Sequence, residues 1–239
     1  MTDTSAPTVA LVHGAFADSS GWNDVVRQLR AAGIKVQAIP NPLRGIAHDA
    51  AYVASALRQI PGRVLAVGHS YGGAVISNAA TGVDNVVGLV YVAAFAPDEG
   101  ETLQDIEADS TDSVLNSALL QLQYPNGDET AVEFAIDPAQ FHNAFAADVP
   151  EEEAAVMAAT QRPVSAFGFV EPSGAPAWKT LPSWAVVATG DKAAGSDVVR
   201  RMAERAGATI TEVDASHVVM VSQPQAVTDV IRQALEAIG

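Results

Sequence analysis

Short apolar runs alternate with amphipathic stretches along most of this chain. Apolar runs bounded by polar or glycine-rich breaks predict strands over Thr8–Val12, Ile34–Ile39, Val64–Val67, Val86–Ala93, Trp184–Ala188 and Thr209–Val213. Stretches with helical spacing predict helices over Ser19–Ala32, Ala47–Gln59, Gly73–Ala80, Ser196–Ala206 and Pro224–Ile238. Ser222 is placed to cap the last helix, with Pro224 near its first turn. Strands separated by helices imply βαβ units and a mostly parallel sheet. Right-handed crossovers then put helices on both faces. The expected fold is α/β: a doubly wound, six-stranded sheet.

The rhythm breaks between Pro97 and Pro182. The segment shows no clear buried strand, helical patches at Thr111–Leu122 and Glu151–Thr160, and a proline-bearing stretch from Pro163 to Pro182. It is too long for a loop within a compact domain. It reads as a helical cap, residues 97–182, inserted after the fourth strand of a core formed by residues 1–96 and 183–239.

The candidate chemistry lies in the turns after the strands. Gly68-His69-Ser70-Tyr71-Gly72 fits G-x-S-x-G, follows the Val64–Val67 run and precedes a helical stretch. Strand, sharp turn and helix is the context of a nucleophile elbow, which lifts a serine oxygen above a sheet edge. The alternative is a glycine-rich turn whose serine only caps a helix. A serine hydroxyl needs an adjacent base. In chains built on this elbow the base comes last and the acid before it. His217 is the one histidine beyond the final strand, and Asp191 directly follows the penultimate strand and Gly190. Asp98, after the fourth strand, is the rival acid; Asp214 is too close along the chain to orient the His217 ring. The backbone N–H groups of Tyr71 and Ala15 are the candidate oxyanion donors, the latter in the loop Val12-His13-Gly14-Ala15-Phe16. On this reading His13 and His69 are structural. Phe16, Phe141, His142 and Phe145 are candidate pocket-lining residues.

Composition narrows the partners. With 239 residues, 49% of them hydrophobic, one domain with a large core is affordable. The net charge of −15 is concentrated: Pro97–Glu153 holds fifteen acids and no Lys or Arg, leaving thirteen acids against thirteen bases elsewhere. Nucleic acid and anionic membrane surfaces are disfavoured, since both need a basic face. The acidity is either a device for solubility or a field that repels anionic substrates. There is no cysteine, no apolar run long enough to span a bilayer, and Met1–Pro7 does not read as a signal peptide. A cytoplasmic location is expected. No metal-ligand spacing or dinucleotide or phosphate-binding loop occurs, so no metal and no cofactor are expected. Oligomeric state is open, a homodimer included.

These residues together resemble the α/β-hydrolase superfamily, and within it the small esterase and hydroxynitrile lyase group. The carrying segments are Leu11–Ala15 with Trp22, Gly68–Gly73, Thr189–Lys192, and Ala215–His217 with Ser222–Pro224. The resemblance implies Ser70 as nucleophile, Asp191 as acid, His217 as base and a helical cap over the site. Two features depart from the group. Val218 and Ala15 stand where the lyase branch carries a lysine and a threonine, which favours ester hydrolysis. Lys192-Ala193-Ala194 follows the acid where Ile-Pro is common, which removes a proline brace from that loop. The expected activity is hydrolysis of a small to medium, uncharged, fairly apolar carboxylic ester. The alternatives are another chemistry on the same residues (thioesterase, perhydrolase, hydroxynitrile lyase) or a hydrolase-fold small-molecule receptor.

Overall fold

A computed structural model describes residues 6–239 of the chain; the leader question posed by Met1–Pro7 falls mostly outside them. The strands are β1 (Thr8–Val12), β2 (Val36–Ile39), β3 (Val64–His69), β4 (Val86–Val92), β5 (Leu119–Asn126), β6 (Glu129–Ile136), β7 (Val164–Ser165), β8 (Ser183–Ala188) and β9 (Thr209–Val213). The α-helices are α1 (Asn23–Ala31), α2 (Ile46–Arg58), α3 (Tyr71–Ala79), α4 (Leu103–Ala108), α5 (Leu115–Ala118), α6 (Pro138–Phe145), α7 (Glu151–Thr160), α8 (Phe167–Val170), α9 (Ser196–Arg205), α10 (Val219–Ser222) and α11 (Pro224–Ile238). Six strands form one parallel sheet in the order β2-β1-β3-β4-β8-β9.

This order fixes where a site can form. The chain runs outward from β1 to β2, returns across the sheet to β3, and then proceeds through β4, β8 and β9. Right-handed crossovers in opposite directions place α1 on one face and α2, α3 and α9 on the other. Helix α11 joins α1 and packs beneath β3, β4 and β8. With both faces covered, β3 and β8 are buried along their whole length. The direction reverses between β1 and β3, and crevices for ligands open at the carboxyl ends of strands flanking such a reversal.

Residues 97–182 lie between β4 and β8 in the chain, but they do not form an all-helical cap. β5 and β6 form a long antiparallel hairpin, and β7 adds two residues to it. Only Leu115–Ala118 of the predicted Thr111–Leu122 helix is helical. The hairpin lies at the surface: most of β5 is exposed, including Leu120 and Leu122. A strand wetted on both sides carries no apolar run, so the burial pattern that revealed the core strands is missing here. Glu151, Glu152 and Glu153 do occupy the first turn of α7, where acidic charge complements the helix dipole.

Two local details also differ. The predicted first helix divides into a 3₁₀ turn at Ser19–Trp22, capped by Asp18, and α1. Ser222 does not cap α11: that helix starts at Pro224 after an uncapped Gln223, because Ser222 is the last residue of α10.

Candidate active site

Ser70 sits between β3 and α3 with φ +54° and ψ −127°. A side chain held at positive φ is strained, and such strain is maintained only where surrounding packing enforces it. Here close backbone approach does so. A Cβ on Gly72 would lie 2.6 Å from the Val12 carbonyl oxygen, and one on Gly14 would lie 2.6 Å from Ser70 Cβ. Glycine at both positions lets the loop after β1 press against the elbow. The Ser70 carbonyl accepts from Gly73 N–H at 2.9 Å and Phe95 N–H at 3.2 Å, and Ser70 N–H donates to Val92 O at 3.2 Å. Tyr71 is the first residue of α3, so its N–H has no carbonyl partner within the helix. Its phenol points elsewhere, donating to the buried carboxylate of Asp49 at 2.8 Å. Burial first, and then Asp49, push the Tyr71 hydroxyl well above its ordinary range.

At the far side of the sheet edge, His217 Nδ1–H donates to Asp191 Oδ2 at 2.8 Å, both side chains being buried. That bond leaves Nε2 as the lone-pair nitrogen, the tautomer a general base needs. Nε2 is buried and has no hydrogen-bond partner; contacts of this kind often tighten only with substrate bound. The other Asp191 oxygen accepts from Ala193 N–H at 2.9 Å and Ala194 N–H at 3.0 Å. Two backbone donors thus hold the Asp191 carboxylate without a proline. Asp98 lies away from this pair, bonded to Lys179. Ser216, immediately before His217, donates to Asp148 of the cap.

His69 and His13 support these parts. His69 Nε2–H donates to the His217 carbonyl at 3.0 Å, and the two rings lie 4.6 Å apart. Burial, reinforced by the neighbouring His217, lowers the basicity of His69 far below the usual range, so it stays neutral. His13 Nδ1–H donates to Gly14 O at 2.9 Å, and its Nε2 accepts from Asn41 N–H at 2.9 Å. Burial lowers its basicity as well, and Arg162, whose Nη1 lies 3.3 Å from Nε2, adds to that effect. Asn41 also donates to His13 O at 3.1 Å, while Arg162 donates to Asn41 O at 2.9 Å. Sequence reasoning missed Asn41 and Arg162. The available signal for Asn41 was its position just after the β2 run, at the same sheet edge as the elbow.

Aromatic rings enclose the His217 end. Phe145 lies 4.8 Å from the His217 ring, 5.0 Å from Phe141 and 6.2 Å from Phe16. Phe169, absent from the sequence reading, stacks 6.5 Å from Phe16. His142 does not join them. Residues 141 and 145 share one face of α6, whereas 142 lies about 100° round it. Its Nε2–H donates to Val149 O, and it borders a depression between α6 and α7. Beside Phe16 a groove of about 300 Å³ opens, bordered by Asp18, Val156, Met157, Val218 and Met220. Among the described residues no cluster of His, Asp or Glu can hold a metal, and no helix is long and apolar enough to cross a membrane.

The comparisons with known proteins agree with this architecture. The model of the alpha/beta hydrolase family matches residues 9–230. No curated protein sequence matches. Among solved structures, polyneuridine aldehyde esterase superposes with a TM-score of 0.82 at 20% identity, covering 96% of this chain and 99% of that one. A methylesterase from Arabidopsis gives 0.79 at 18% identity, covering 96% and 99%. A pyrethroid hydrolase gives 0.77 at 22% identity, covering 97% and 98%.

Proposed function

Because the chain belongs to the alpha/beta hydrolase family, we propose that it is a serine esterase acting on small to medium, uncharged, fairly apolar carboxylic esters. The observation that carries this reading is the buried His217–Asp191 hydrogen bond at the same sheet edge as the strained Ser70 turn. Ser70 Oγ attacks the ester carbonyl carbon, and His217 Nε2 takes its proton. Asp191 stabilises the resulting imidazolium and holds the ring's tautomer. The Ala15 and Tyr71 N–H groups receive the oxyanion, an arrangement in which one donor is typically worth about 10²–10³ in rate. His217 returns the proton to the departing alkoxide. Water, deprotonated by His217, then cleaves the acyl–Ser70 bond and restores the hydroxyl.

The substrate class is supported by the rings around His217 and by the acidity of the cap. Esterases and hydrolases among the structural neighbours point the same way. The buried Val218 beside His217 offers no cation to hold a cyanide anion, which weighs against cyanohydrin cleavage. Treatment with a fluorophosphonate, followed by peptide mapping, tests the proposal. A single adduct on Ser70 is expected; no adduct, or one elsewhere, overturns it.

A further inference from the structure

The cap places a carboxyl group beside this site that the mechanism above does not use. Glu107, on α4, is 5% exposed. Its neighbourhood is a seam between the segment after α4 and the loop that carries Asp191. Across it Val114 N–H donates to Lys192 O at 2.8 Å, and Ser110 Oγ donates to Asp197 at 2.6 Å. Ser113 Oγ is the third stitch, 2.8 Å from Ala193 O and 3.0 Å from Glu107 Oε1.

A hydroxyl has one proton and two lone pairs. Leu115 N–H, 3.3 Å from Ser113 Oγ, occupies one lone pair. If the Ser113 proton goes to Ala193 O, the nearer acceptor, the second lone pair is filled only when Glu107 carries a proton and donates it. An ionised Glu107 would instead take the Ser113 proton, leaving the Ala193 carbonyl facing a lone pair. That carbonyl belongs to the peptide whose N–H, on Ala194, donates to Asp191 Oδ1. Aligned hydrogen bonds polarise one another, so the chain runs from Glu107 through Ser113 and the Ala193–Ala194 peptide to Asp191 and His217.

We propose that Glu107 is a positioning residue for the reaction: protonated, it completes this hydrogen-bond chain to Asp191, and ionised, it breaks the chain and adds a second negative charge beside the Asp191–His217 pair. The inference rests on the esterase reading of Ser70, Asp191 and His217. Burial pushes the Glu107 carboxyl up to about 7, with Ser113 and His217 opposing the rise and Asp191 adding to it. Both forms are therefore populated near neutral pH. Among the described residues, His217 and Asp191 are the charged groups that act on Glu107, and no Lys or Arg pairs with it. Asp105 and Asp109 share its helix and following turn, Asp112 and Asp197 are tied up across the seam by Ser196 and Ser110, and Lys192 reaches Asn143. Helix α8, which packs against α4, carries no ionisable side chain.

The test is kcat/KM for a neutral aryl ester against pH, for wild type, Glu107→Gln, Glu107→Ala and Ser113→Ala. Wild type should show a titration near neutrality that Glu107→Gln lacks. Glu107→Gln should exceed Glu107→Ala in kcat, because its amide can still donate to Ser113. Ser113→Ala should lower kcat by roughly threefold to tenfold, with KM little changed and the titration retained. Superimposable wild-type and Gln profiles overturn the inference while Ser70-dependent turnover leaves the esterase reading intact. If turnover is absent or survives Ser70→Ala, the esterase reading fails. The carboxyl is then read directly by ¹³C-glutamate NMR, assigned through Glu107→Gln: a neutral-range midpoint keeps Glu107 as a protonated link, and an ordinary carboxylate midpoint removes it.

Discussion

The sheet edge and the cap build opposite halves of this site by opposite means. At the edge, backbone places the chemistry: Gly14 and Gly72 let β1's loop meet the elbow, Ser70 is held at positive φ, and two peptide N–H groups fix Asp191. In the cap, side chains do the work. Phe145 leans on His217 from α6 with Phe141 packed against it, Asp148 tethers Ser216, and Glu107 reaches the Asp191 loop through Ser113. Ion pairs Arg44–Glu133 and Arg205–Glu101 join the two regions. The edge has the rigidity that positioning of a reacting atom requires, whereas the cap can change rings and charges without altering the backbone beneath.

That contrast is broken first at Ser70. Ser70→Ala should cost about 10⁴-fold or more in kcat/KM for an aryl ester, while Phe145→Ala in the cap should cost about tenfold, mainly in KM. Comparable losses would place the chemistry in the cap as much as in the edge. The next test concerns packing. Gly72→Ala drives a Cβ against two carbonyls of the β1 loop and should cost more than about 3 kcal/mol in urea unfolding. Gly127→Ala, at the tip of the β5–β6 hairpin, has φ +65° but nothing within 4 Å, so only its backbone strain counts, about 1 kcal/mol. Equal costs would show that the edge is no more constrained than a surface turn.

Legibility in the sequence follows the same division. β1, β9 and α11 match their predicted limits. Buried strands and a helix with one apolar face carry periodic signals that tertiary contacts only reinforce. Ser70, Asp191 and His217 stand out as candidates because each lies in the turn following a predicted strand. The β5–β6 hairpin was not, since Leu-Leu-Gln-Leu-Gln-Tyr-Pro-Asn mixes apolar and polar residues without a buried face. Glu107 was hidden for another reason: nothing local distinguishes it from the fourteen other acids of its segment. Its link to the Asp191 loop runs through Ser113, which bonds the carbonyl of Ala193, 80 residues further along the chain.

The buried carboxyl also gives the cap a pH-dependent stability cost. An unfolded chain releases the Glu107 proton near 4.5, whereas the folded state holds it to about 7. Between these values the folded state binds more protons, so stability falls as pH rises, and the loss is complete above about 7. Glu107→Gln removes the ionisation and should raise unfolding stability at pH 8 by up to about 3 kcal/mol, with almost no gain at pH 4. Urea midpoints at the two pH values check this. An equal gain at both would make Glu107 an ordinary packing position.

The smallest expected effect concerns cap charge and substrate sign. Asp18, Asp24 and Glu153 line the groove that opens beside Phe16 and Val218; Arg27, which lines it too, is bonded to Asp24. Few of the segment's fifteen acids have a cationic partner, among them Glu133, Asp98 and Glu101. A carboxylate-bearing ester entering by this groove would meet a field of its own sign. At 10 mM salt the Debye length is about 30 Å and the field reaches well beyond the groove; at 0.15 M it is about 8 Å. The carboxylate ester should show kcat/KM about threefold to tenfold below its uncharged isostere at low salt, and physiological salt should recover part of that deficit. Glu153→Gln should narrow the gap by less than about twofold. Since Glu153 lies in α7 and touches none of the reacting groups, its effect belongs in KM for the anionic ester alone. A change in kcat for the neutral ester would mean that the cap acts on the chemistry through more than charge.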